Sequence, residues 1–249
     1  LRDDQSQLKT KPPPTEGHLG AWVLWQDDDL VAVDKPAGIA SQGGDGLASQ
    51  NLVDLARVHW KSNRIAVLHR IDRNVSGVVL LAKTTQAARG MSALIAAGAL
   101  ERRYVAVVKG KLTAARTFHH WLRKDARSNQ VHAIDAPLTA DEAPAPSGYK
   151  HSVTLAEPIA ELPTLLGVCT TLQVWPITGR SHQIRVQLAA SGFPIVGDPK
   201  YGVEAKGLSR PLLHAASVRF THPITQEAIA VTAPTPWDDR AVAVLRRRT

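Results

Sequence analysis

Short apolar runs alternate along the chain with polar breaks rich in Gly and Pro, and the period of each run predicts its element. The stretch "AWVLWQDDDLVAVDKPAG" reads as two short strands around an acidic turn, closed by Pro36 and Gly38. A Gly-rich loop, "SQGGDGLASQ", follows. "SQNLVDLARVHW" has helical spacing at Leu52, Leu55, Ala56 and His59, with Ser49 as candidate N-cap. "RIAVLHRID" and "GVVLLAK" predict strands joined by "RNVS". "TTQAARGMSALIAAG" predicts a helix that starts near Thr84 or Thr85 and stops at Gly98. "RRYVAVVKG" predicts a strand with Tyr104, Ala106 and Val108 on one face and Arg103, Val105 and Val107 on the other.

From Lys124 to Gly148 the pattern fades, and "DAPLTADEAPAPSG" reads as a surface loop. "TTLQVWPITG" predicts a strand, and "RSHQIRVQLAASG" a helix with Ser181 as candidate cap and Gly192 as stop. "LLHAASVRFTHP" and "EAIAVTAP" predict a final strand pair, and "WDDRAVAVLRRR" a closing basic helix. No internal repeat and no clear domain boundary is visible. Strand pairs outnumber regular strand–helix alternation, so an α+β fold with a mixed, largely antiparallel central sheet is expected in preference to a Rossmann fold. The polar, Pro-rich residues 1–20 read as a linker or trimmed tail before one domain at 21–249.

Composition narrows the function. No apolar run approaches the ~20 residues that span a bilayer, so no membrane role is expected. The formal net charge of +8 suggests a polyanionic partner, most simply nucleic acid. Cys169 is the single cysteine, which excludes an internal disulfide and a multi-Cys zinc site and fits a reducing compartment.

Three stretches concentrate chemistry. In "LHRIDRNVSG", an extended backbone would put Arg70 and Asp72 on one face and His69 and Ile71 on the other. An Arg beside a partly buried Asp holds the carboxylate ionised and oriented. Arg73 and Ser76 follow in the turn. In "TGRSHQIR", Gly179 turns the chain, His182 and Arg185 share a helix face, and Arg180 and Arg185 both qualify to meet Asp72. In "RRYVAVV", Tyr104 can stack on a base and lend its hydroxyl to proton transfer. The kinase loop, the phosphate-binding loop, G-x-S-x-G and H-E-x-x-H are absent, and no metal site is expected.

Together, "VAVDKPAG", "LHRIDRNVSGVVLLAK", "RRYVAVVKG", "PITGRSHQIRVQLAASGFPIVGDPKYG" and "LLHAASVRFTHP" resemble the RluA-type family of RNA pseudouridine synthases, in the family's order. Ile71, Val75 and Gln187 stand where the family more often has Leu, Thr and His. The resemblance implies enzymes that detach uracil from ribose, turn it and rejoin it through carbon, with no cofactor. It implies Asp72 as nucleophile, attacking base or sugar, with Arg185 as its salt-bridge partner. Tyr104 would pack on the uracil, and Arg70 would help displace it from the stack. Arg180, with Arg73, Arg102 and His182, is expected to contact RNA. "QGGDGL" resembles the branch acting on large-subunit ribosomal RNA, so rRNA is expected ahead of tRNA, with pre-ribosomal particles as a further partner. A monomer in the cytoplasm, or in an organelle such as the mitochondrion, is expected. Two other readings stand beside this one: an RNA-binding ribosome-assembly factor on the same fold, and a carboxylate hydrolase of glycosidic bonds with Asp34 or Asp54 as second acid.

Overall fold

The structure is a computed structural model and describes residues 19–43, 51–138 and 144–237. A 3-10 turn at Leu19–Trp22 precedes β1 (Val23–Gln26) and β2 (Leu30–Lys35). Next come α1 (Leu52–His59), β3 (Ala66–Val67), β4 (Ser76–Ala82) and α2 (Thr85–Ala96). Then follow β5 (Glu101–Lys109), β6 (Arg116–Lys124), β7 (Val131–Asp135), β8 (Lys150–Thr164), β9 (Gly167–Pro176), α3 (Gln183–Ala190), β10 (Leu213–Thr221) and β11 (Ala228–Thr232). Most ladders are antiparallel and β10 runs parallel to β4, so the α+β class holds. The described chain divides into two compact units, 19–101 with 214–237, and 102–213. The tail and the closing basic helix expected from the sequence lie outside the described residues, as does Ser49.

In the first unit β4 lies between β2 and β10, and β1 and β11 extend the pairing. Every residue of β4 is buried, as its unbroken apolar run requires of a strand covered on both faces. Leu30, Ala32, Val78, Leu80 and Ala82 pack with Ala87 and Met91 of α2. Thr84 caps α2, its hydroxyl accepting the Ala87 N–H at 3.2 Å, and Gly98 lies just past the end at φ +74°. Asn51 caps α1 through the Asp54 N–H. Val53 joins Leu52, Leu55 and Ala56 in the core, and His59 is exposed. Gly77 opens β4 at φ +117°, where a Cβ would stand 2.2 Å from the Ala215 carbonyl oxygen. Only glycine lets β4 and β10 approach so closely.

The strand expected over "RIAVLHRID" shrinks to Ala66–Val67. Leu68 N–H still donates to the Leu80 carbonyl, but the Leu80 N–H is taken by the His69 ring Nε2 instead of by a backbone oxygen. A side chain has replaced the next rung, so the ladder ends there. The inward–outward alternation survives: His69 and Ile71 are buried, while Arg70 is exposed and Asp72 half-exposed.

The second unit orders its strands β5-β9-β8-β6-β7, all antiparallel. β7 and β8 lie where a loop or no pattern was expected. β8, the longest strand, buries Ser152, Thr154 and Ala156 and leaves His151, Val153 and Leu155 half-exposed. Its inward positions are small or hydroxylated, so its hydropathy pattern is inverted. α3 buries Ile184 and Leu188 as spaced and stops at Gly192. Ser181 does not cap it. His182 occupies the N-cap position at φ +53° with no side-chain cap bond.

Two buried amides fasten α3 to the sheet instead. The Gln183 side-chain oxygen accepts from the Thr178 hydroxyl at 2.7 Å and the Arg180 N–H at 2.9 Å, and its amide donates to Val153 and Thr154. One turn on, Gln187 accepts from Thr154 and donates to the Phe118 and Ser152 carbonyls. Cys169 is buried beside Thr164. Among the described residues no helix is long and apolar enough to cross a membrane.

Candidate active site

Arg70, Asp72 and Arg73 belong to the first unit. Asp72 starts a turn whose closing bond runs from the Val75 N–H to the Asp72 carbonyl at 3.0 Å. The loop after β2 grips this segment on either side of Asp72. The Ser41 hydroxyl donates to the Ile71 carbonyl at 2.9 Å and accepts the Ile71 N–H at 3.2 Å. On the other side the Gly38 N–H donates to the Arg73 carbonyl at 2.8 Å, and the Arg73 Nε returns a bond to the Gly38 carbonyl at 2.9 Å. Lys35, fully buried, donates to the carbonyls of Pro36, Ile39 and Arg73. Its charge is met by three carbonyl dipoles, which is how a buried ammonium is tolerated. At the far end of the turn the Ser76 hydroxyl meets His214 Nδ1 at 2.9 Å. The main chain around Asp72 is thereby fixed before any ligand arrives, and Asp72 itself is half-exposed. Arg73 braces the loop, and Arg70 is exposed.

Arg102, Tyr104, Arg180, His182 and Arg185 belong to the second unit. Tyr104 is buried on β5 opposite Val174 of β9. Arg185 is buried on α3 and grips Asp198 with two parallel bonds, Nε to Oδ2 and Nη2 to Oδ1, each 2.7 Å. Such a two-pronged pair has the strongest geometry a guanidinium can offer a carboxylate. Asp198, 1% exposed, also accepts the Lys200 and Tyr201 N–H groups. Gly197 holds the loop tight at φ +77°, where a Cβ would meet the Arg210 carbonyl oxygen at 2.4 Å. The Arg185 guanidinium lies over the Tyr201 ring at 5.2 Å. The Tyr201 hydroxyl meets His182 Nδ1 at 2.7 Å and accepts the Val131 N–H at 2.9 Å. Tyr201 thus ties His182 and Arg185 together, although His182 stands at the N-cap ahead of α3 and does not share its face. His182 holds a left-handed backbone conformation that costs on the order of 1–3 kcal/mol for a non-glycine residue.

Arg102 donates to the Pro176 and Thr178 carbonyls, so it supports the loop ahead of Arg180. Arg180 is exposed, with a long 3.4 Å contact from Nε to the His151 carbonyl. Asp198 and Tyr201 were not singled out from the sequence, although both lie within the "GDPKYG" segment quoted above. An Asp between Gly197 and Pro199 was the available signal, and its arginine partner is 13 residues away. Asp54 is engaged at the start of α1 with Asn51 and Arg57.

Two buried titrating groups in the second unit are shifted. Burial lowers the pKa of His120 below its ordinary 6.5 and outweighs the attraction of Asp135, while Arg116 and His119 lower it further. For Asp198, burial alone would raise the pKa, but the Arg185 hydrogen bond and charge, with the Lys200 and Tyr201 N–H groups, bring it below 3.8. Both shifts destabilise on acidification. The unfolded chain protonates His120 near 6.5 while the folded chain resists, so stability falls as pH drops below that value. The Asp198 contribution is complete above 3.8 and is lost as pH falls through its lower folded value. We expect the thermal midpoint to decline in these two windows and His120→Gln to flatten the first. A variant profile parallel to wild type between about pH 7 and pH 5 removes His120 from this account.

A family model described as RNA pseudouridylate synthase matches residues 29–190. The chain is 34% identical over 224 residues to ribosomal large subunit pseudouridine synthase C of Vibrio vulnificus (strain CMCP6), a match covering 85% of this chain and 65% of that protein. It is 32% identical over 262 residues to ribosomal large subunit pseudouridine synthase D of Xanthomonas campestris pv. campestris, covering 97% of this chain and 74% of that one. The chain thus spans about two thirds of the length of these curated relatives. Among solved structures, human RNA pseudouridylate synthase domain containing 1 shares the fold, with a TM-score of 0.73, 21% identity, and coverage of 94% of this chain and 91% of that one.

Proposed function

Because the chain belongs to the RNA pseudouridylate synthase family, we propose that it isomerises uridine to pseudouridine in structured RNA, with Asp72 as the nucleophile. The observation that carries this reading is the grip on both sides of Asp72, by Ser41 on Ile71 and by Lys35 and Gly38 on Arg73. A nucleophile needs a fixed position against the atom that it attacks. In the reaction the glycosidic bond from ribose to ring nitrogen breaks and a bond from ribose to ring carbon forms. The carbon loses its proton, and the nitrogen gains one. Redox balance is unchanged, so the chemistry calls for no cofactor.

Tyr104 is assigned to the uracil face and to removal of the final ring proton. Arg185, positioned by Asp198, is assigned to the catalytic chemistry. Arg70, exposed beside Asp72, is assigned to the displaced nucleotide. Large-subunit ribosomal RNA is the favoured substrate, because two relatives whose matches cover most of this chain are named for the ribosomal large subunit.

The reacting atoms are unreachable in a stacked duplex, so turnover requires an unpaired or extruded uridine. Two RNAs of equal length, one with the uridine in a loop and one in a continuous duplex, separate the cases. We expect the loop RNA to accumulate pseudouridine and the duplex RNA to remain unmodified, with or without a chelator. Equal turnover of both, or loss of turnover in chelator, overturns this account.

A further inference from the structure

One face of the second unit carries a cationic pocket that the chemistry above does not use. On β6 and β8 the register pairs Leu122 with Lys150, and β6 with β7 pairs Lys124 with Val131. Antiparallel partners point to the same side of a sheet, as do residues two apart on a strand. Lys124 and Lys150 are therefore diagonal neighbours on one face, flanking Leu122. Diagonal neighbours lie within reach of long side chains, so the two ammonium groups can act on one ligand. Leu122 and Val131 pack under Val186 of α3, so this is the face that α3 covers. At its edge Gly148 and the turn with Gly179, Arg180 and Ser181 join the two lysines in lining an open pocket of about 330 Å³.

No Asp or Glu lines this pocket among the described residues, and no ion pair there engages Lys124, Lys150 or Arg180. Three positive charges thus converge without a carboxylate. The volume falls at the lower end of small-ligand pockets (~300–1,000 Å³) and exceeds what a bare phosphate group needs. The pocket also adjoins the Arg185 cluster: Val131, in its wall, donates to the Tyr201 hydroxyl that His182 also meets.

We propose that this pocket is a phosphate subsite. Lys124, Lys150 and Arg180 hold a backbone phosphate of the bound RNA, with room for the attached nucleotide against Leu122 and Val131. The proposal rests on the reading of the chain as an RNA-modifying enzyme and names a site for that RNA. Phosphate contacts position a nucleic acid without reading its sequence, so the subsite sets affinity and register and leaves base choice elsewhere.

The test measures binding of a fluorescently labelled RNA stem-loop, with uridines in the loop, as a function of salt. Wild type is compared with Lys124→Gln/Lys150→Gln and Lys124→Arg/Lys150→Arg. Each lost phosphate contact on a single strand lowers the slope of log affinity against log salt by about 0.7. The subsite holds one phosphate, so the Gln pair should lose about 0.7 of slope, and its affinity drop between ~50 and ~200 mM salt is about 2.6-fold smaller than that of wild type. The Arg pair should keep the wild-type slope, because it keeps the charge. Equal slopes for wild type and the Gln pair, or an Arg pair as impaired as the Gln pair, overturn the subsite. Failure of the isomerase reading shows separately: salt-dependent binding by wild type with no pseudouridine formed in any uridine-containing loop.

Discussion

Asp72→Asn is expected to abolish pseudouridine formation, by on the order of 10⁴-fold or more, as loss of a covalent nucleophile does in other enzymes. An amide is nearly the same shape as a carboxylate but a very poor nucleophile. The bonds around Asp72 engage the main chain of Ile71, Arg73 and Asp72 itself. They are indifferent to whether the side chain ends in an oxygen or an amide nitrogen. The main-chain scaffold should therefore persist in the variant, which should bind the loop RNA with similar affinity. Pseudouridine analysis of that RNA after incubation with each protein decides the matter. Comparable rates would remove Asp72 from the chemistry. A collapsed melting temperature would instead reassign it to the scaffold.

Arg185→Ala and Asp198→Ala should each lower stability by about 3–5 kcal/mol, because either change leaves a buried charge without its partner. For a chain of this size that corresponds to a fall in melting temperature of roughly 6–20 °C. The double variant should lose less than the sum of the two, since removing both charges leaves neither stranded. Thermal unfolding of the four proteins closes the cycle, and strictly additive losses would count against a coupled pair. Because Asp198 already occupies both prongs of Arg185 from Nε and Nη2, loss of Asp198 is expected to lower turnover through misplacement of Arg185.

How far the sequence could be read depended on where each signal lay. β4 and α2 were legible because Val78–Ala82 is an unbroken apolar run and Thr84 and Gly98 punctuate the helix. β8 was not, because its buried positions are Ser152, Thr154 and Ala156 and the side it half-exposes is the more apolar one. The start of α3 was misplaced because Ser181 looks like a cap. In the folded chain the Gln183 side chain, not a cap, satisfies the Arg180 N–H.

Local order along the chain was enough to determine the type of most elements and the family, and to single out Asp72 as the candidate nucleophile. Each rests on residues close in sequence, where apolar period, capping chemistry and a ten-residue motif act directly on the backbone. Tertiary structure alone decided what holds those residues in place. Ser41 reaches Ile71 across 30 positions, Lys35 reaches Arg73 across 38, and Gln187 reaches Phe118 across 69. Asp198 meets Arg185 only because a glycine-tightened loop folds back on α3. Lys124 and Lys150 converge only through strand register. Hydrogen bonds and ion pairs of this kind act over about 3 Å, and only folding brings residues far apart along the chain within that reach.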